Sequence, residues 1–162
     1  MHTAIMDRLD LKDALKMAAT SLAGLFAGNA MYINLVDHPA RMNLKTPEMR
    51  IVWKEGFHRA KRIQGTMVLI GAAAATGAWY LEENADRRLP WLLGAGLFIT
   101  VWPWTLLVMI PDINRNLDEN VLKNRGEAWS RDHMIRWNKQ HGFRTLVSLG
   151  AFGIFLYALA RK

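Results

Sequence analysis

Four stretches of this chain carry no Asp, Glu, Lys or Arg: residues 17–36, 63–81, 89–111 and 145–160. Soluble helices normally keep a polar face, and these stretches have none. A helix needs about 20 apolar residues to cross a hydrocarbon core of about 30 Å. Three stretches meet that length, and the fourth meets it if Arg144 snorkels to the interface. The pattern predicts an all-α, four-helix transmembrane bundle, one domain over 1–162, with spans at about 15–36, 63–81, 89–110 and 142–160.

Details within the spans refine this. Gly24 and Gly28 form a small-xxx-small pair on the first, and Gly71 with Ala72–Ala75 gives the second a close-packing surface. The third opens with Pro90, which suits a first turn. Its Pro103, between Trp102 and Trp104, should kink the helix and free a backbone carbonyl. The connections are unequal. Residues 82–88 make a tight turn, whereas 37–62 and 112–141 are long, basic and only partly loop-like. Thr46-Pro47-Glu48 reads as a helix start, so an interfacial helix should run on into the second span. Ser130 should cap a similar extension, Arg131–His141, leading into the fourth.

Composition adds limits. The charged share is 22% and the net charge +7, and mean hydropathy is near zero because charge and apolar runs are segregated. The basic residues lie between spans, which fits lipid head groups rather than nucleic acid. There is no cysteine, so disulfides and thiolate ligands are excluded. A cleavable signal peptide is not expected, since the first apolar run is long and preceded by mixed charges.

Lys and Arg number seven in 37–62 and six in 112–141, with Arg144 just inside the fourth span. The N-terminal segment (Arg8, Lys12, Lys16), the short turn (Arg87, Arg88) and the C-terminus (Arg161, Lys162) carry seven together. The positive-inside rule then puts both long connections on the cytoplasmic or equivalent side and both termini opposite.

That topology gathers the polar side chains at one membrane face. Asn34, Asp37, His38 and Arg41 end the first span, while His58, Arg59 and Gln64 begin the second. Asp112, Asn114 and Arg115 end the third, and Trp137, His141 and Arg144 begin the fourth. Trp137, His141, Arg144 and Thr145 fall on one helical face, as do Asn34, His38 and Arg41 if the first helix continues past Val36. Ionisable groups near a bilayer are costly and are usually kept for a purpose, although interfacial anchoring alone would also place Arg, His and Trp there.

The run Gly28–Arg41, with Tyr32, Asn34 and His38-Pro39-Ala40-Arg41, resembles a signature of the anthrone-oxygenase-like family of small four-helix membrane proteins. Trp53 with Arg59 and Gln64, Pro111–Leu117, and Trp137 with His141, Arg144 and Thr145 resemble its further elements in order. The resemblance implies oxygen-dependent oxidation of a flat aromatic, anthrone- or quinone-like substrate. His38 or His141 would be the base, and Arg41, Arg144, Asn34 and Asn114 would hold the oxyanion. Trp137 would stack on the ring, with Arg59 and Gln64 also at the site. No cofactor is required by the sequence.

Two other readings stand beside this one. His38, His58, His133 and His141 on one side could hold haem or a metal. A small, glycine-lined bundle could also be a non-catalytic accessory subunit or a homo-oligomer. A transporter fits less well, because four helices leave little room for alternating access.

Overall fold

The computed structural model describes residues 10–161, so Arg8 and Lys162 of the charge count lie outside the described residues. Those residues are helical almost throughout and contain no strand. Helix α1 (Leu11–Tyr32) passes through a π-helical turn, Ile33–Asp37, into α2 (His38–Met42). Helix α3 (Thr46–Leu81) is a single rod of 36 residues, as the Thr46-Pro47-Glu48 start predicts. Helix α4 (Ala85–Ile99), α5 (Val101–Trp104), a second π turn (Thr105–Met109) and α6 (Ile110–Leu117) form one irregular rod. Helix α7 (Val121–Ala160) completes the set. The four rods close a ring, α1 against α3, α3 against α4, α4 against α7 and α7 against α1.

Small residues set the spacing. Ala74, Ala75 and Ala78 of α3 and Ala19, Ala23, Ala27 and Ala30 of α1 are buried, so the helix backbones approach closely. Phe26, Trp91, Phe98 and Phe155 fill the larger gaps of this first core. A second core, Met49, Trp53, Met109, Ile113, Met134 and Trp137, lies towards the long connections. Leucines and isoleucines instead face outwards, including Leu69, Ile70, Leu93, Leu107 and Leu146. Two segments, Ala85–Leu117 and Val121–Ala160, are long and apolar enough to cross a membrane. The other two expected spans fall short of that apolarity. Residues 63–81 are rich in Gly and Ala rather than Leu, and α1 carries Lys12, Asp13 and Lys16 in its first turns.

Several local expectations need correction. Pro90 is not in a first turn: Asn84 caps α4, its side chain accepting from Asp86 N at 3.0 Å and Arg87 N at 3.2 Å, so Pro90 lies a turn further in. Losing that cap should cost about 1 kcal/mol, so Asn84→Ala should lower the thermal unfolding midpoint without altering ligand binding. Ser130 caps nothing. It is buried inside α7, whose only break is Gly126 at φ 83°, a left-handed conformation that glycine alone adopts cheaply. Nothing between Glu127 and Gly142 interrupts the helix, so the fourth rod starts well before the apolar run.

The long connections are ordered by arginines. Arg131 donates to the carbonyls of Met42 (2.9 Å) and Leu44 and to the Thr46 hydroxyl. Arg50 donates to the carbonyls of Asn116 (2.7 Å) and Asp118 (2.8 Å). Each satisfies orphan carbonyls at a helix C-terminus with a cation placed at its negative dipole end.

Candidate functional site

Each π turn ends two residues before a proline. His38 N–H bonds to the Ile33 carbonyl ahead of Pro39, and Ile110 N–H bonds to the Thr105 carbonyl ahead of Pro111. A proline ring clashes with the carbonyl four residues back and donates no hydrogen bond. Widening the helix by one residue accommodates it, and such bulges are frequent at functional sites. Here the bulges lie on opposite walls of one cavity.

That cavity, about 400 Å³, sits between the two cores, touching Val68 and Val101 of the first and Trp53, Ile113 and Trp137 of the second. The π turns contribute Ile33, Asp37, Thr105 and Leu106, and α3 contributes Gly56, Phe57, Ala60, Gln64 and Gly65. Aromatic faces dominate. Trp53 stacks on Phe57 at 5.7 Å and meets Trp137 edge-on at 5.9 Å.

Polar groups form one wall. His141, about 1% exposed, bonds through Nδ1 to Asn34 Oδ1 at 3.1 Å. Asn34 Nδ2 donates to the Asn138 backbone carbonyl at 2.8 Å and to its side-chain oxygen at 2.7 Å, and Thr145 donates its hydroxyl to Asn34 Oδ1. Arg144 donates to Gln64 Oε1 at 2.7 Å, and Gln64 in turn donates to Asn29. Arg41 pairs with Asp37 at 2.8 Å and lies 5.6 Å from the centre of the Trp137 ring. Arg41 Nε, Arg144 Nε and the indole N–H groups of Trp53 and Trp137 are buried without an acceptor among the described residues. Buried donors left unpaired in a native site call for an acceptor from outside the chain.

The sequence-predicted residues divide accordingly. Arg41, Gln64, Trp137, His141 and Arg144 line the cavity. Asn34 stands behind His141 and does not line it. His38 is buried against Trp137, ring centres 6.1 Å apart, and does not line the cavity either. Asn114 is exposed, because one turn of α6 turns Asp112, Ile113 and Asn116 inward and leaves 114 and 115 outside. Arg59 is also exposed and borders an adjoining outer crevice with Leu25, Ile63 and Met67. Buried Asp112 is held by Arg136 (3.0 Å), Arg115 (3.1 Å) and Gln140 (2.8 Å), which ties α6 to α7 away from the cavity. Among the described residues no three His, Asp or Glu side chains gather to hold a metal ion. Asn29, Tyr32, Trp102 and Thr105 belong to the cavity but not to the sequence-predicted set. Pro39 and Pro111 were the available signal for the bulges that place Thr105 there.

Burial pushes His38 down to about 4, with the neighbouring Arg41 acting in the same direction. A histidine whose folded value is depressed binds its proton only after unfolding, so stability falls as pH drops from about 6.5 towards 4. His38→Gln should flatten this limb, as read from unfolding midpoints of both proteins across that window.

Residues 53–154, more than half of the chain, match the family model described as anthrone oxygenase. The match takes in Trp53, Gln64, the second bulge and the Trp137–Thr145 face, while the Gly28–Arg41 run precedes it. Nothing matches among curated proteins or solved structures. The chain belongs to the anthrone oxygenase family.

Proposed function

We propose that this protein is a membrane-embedded oxidase that converts a flat, lipophilic aromatic ketone of the anthrone type to the quinone with molecular oxygen. The observation that carries the reading is the aromatic-walled cavity lined by one imidazole, His141, and two guanidinium groups, Arg41 and Arg144. Its volume falls in the range of small-molecule sites, roughly 300–1,000 Å³.

In this reading the ketone stacks against Trp137 and Trp53. His141 takes a proton from the activated ring carbon, and the electron pair moves onto the ketone oxygen as an enolate. Arg144 and Arg41 stabilise that oxyanion. Oxygen then accepts the electrons and bonds to the same carbon as a hydroperoxide, protonated by His141. Loss of that carbon's second proton breaks the O–O bond, one oxygen atom staying as the second carbonyl and the other leaving as water. One ketone and one oxygen molecule thus give one quinone and one water.

Membrane placement belongs to the same proposal. The outward leucines and the two long apolar segments support a bundle crossing the bilayer. The charge of the long connections favours the cavity end on the cytoplasmic or equivalent side. Lipophilic ligand would then reach the cavity from the lipid.

The test is aerobic turnover of anthrone by protein purified into lipid nanodiscs, following oxygen uptake and quinone absorbance together. Equal rates, above a protein-free control, support the reading. No excess over that control sinks it.

A further inference from the structure

Asn34 has four hydrogen-bonding positions, two N–H donors and two oxygen lone pairs. All four are taken inside the protein. The donors go to the backbone carbonyl and side-chain oxygen of Asn138, and the oxygen accepts from His141 and Thr145. No capacity remains for a substrate, and the residue does not line the cavity.

The same contacts fix the chemistry of the imidazole. A backbone carbonyl can only accept, so the Asn34 atom 2.8 Å from the Asn138 carbonyl must be the NH₂ group. The atom facing His141 is therefore the amide oxygen, which cannot donate. His141 Nδ1, 3.1 Å away, must then carry the proton. In the neutral ring Nε2 is left with a free lone pair. It has no hydrogen-bond partner among the described residues, and His141 lines the cavity.

We propose that Asn34 is a positioning residue, which locks His141 as the Nδ1–H tautomer and so presents Nε2 as the basic atom of the cavity. The inference rests on the proton-abstraction reading above and assigns its base to one atom. The anchoring of Asn34 is strengthened by its place in the first π turn, which carries it to α7 between Asn138 and Thr145. His38, without such a partner among the described residues and off the cavity, is not an equivalent base.

The test is nitrogen NMR of ¹⁵N-histidine-labelled protein in nanodiscs, without substrate, at a pH well above imidazole titration. The chain has five histidines, and the His141 signals are the ones lost in His141→Gln. A protonated Nδ1 and a bare Nε2 are expected in the wild type. Asn34→Ala should relax the ring to a tautomer mixture and lower kcat by at least about tenfold, with KM little changed. Asn34→Asp, whose oxygens still accept, should keep Nδ1 protonated. An Nε2–H wild type, or an Asn34→Ala protein with the wild-type tautomer, overturns the proposal. Absence of anthrone turnover in the wild type would instead overturn the oxidase reading, while the spectra still decide what Asn34 does to His141.

Discussion

His141→Gln should lower kcat for anthrone oxidation by about 10²- to 10⁴-fold, the usual contribution of a positioned general base. Affinity for the quinone product should change little, because the aromatic walls and both arginines are untouched. Glutamine retains an N–H that can reach Asn34 Oδ1, the bond through which His141 ties α7 to the first π turn. The variant should therefore keep its unfolding midpoint close to the wild type. The expected signature is a large loss in kcat with binding and stability preserved. Full activity in His141→Gln or His141→Ala would remove His141 from the chemistry. His38→Gln should spare kcat, since that ring does not line the cavity.

The largest effect on stability should come from Gly94→Leu. A Cβ at Gly94 would collide with Phe155 Cε1 and lie 2.7 Å from Cδ1. Phe155 has no room to retreat: it is fully buried and stacked on Trp91 at 5.5 Å with planes 15° apart. Overpacking of this kind typically costs about 1–3 kcal/mol and occasionally more, and a leucine adds a branched side chain beyond the Cβ. The α4–α7 seam should open, visible as a lower unfolding midpoint and reduced yield of folded protein. Replacing Phe155 by a smaller residue in the same chain should recover part of the loss. An additive double variant would mean that the ring is not what Gly94 accommodates.

What the sequence revealed and what it hid have physical causes. Charge-free runs and the Thr46-Pro47-Glu48 start were enough to find the helical rods, because both depend on local chemistry. The face shared by Trp137, His141 and Arg144 was legible because helical periodicity is fixed over two turns. Its partner face was only half legible. Asn34, His38 and Arg41 were placed by regular 3.6-residue geometry, and the π turn at Ile33–Asp37 sends Asn34 behind His141 and His38 behind Trp137. Asn114 failed for a related reason. Which side of a short helix faces inward depends on its neighbours, and α6 follows a second bulge that resets its phase. Ser130 looked like a cap because capping residues also occur inside helices, where only packing decides.

The most direct test of the central claim is a structure of the protein in a lipid bilayer with anthraquinone bound. The ring system should lie in the cavity against Trp137 and Trp53. One carbonyl oxygen should sit within hydrogen-bonding distance of Arg41 or Arg144, and His141 Nε2 should be aimed at the ring carbon opposite. Anthraquinone held only on the outer surface, with the cavity filled by side chains or lipid, would contradict the assignment of this cavity as the site of oxidation.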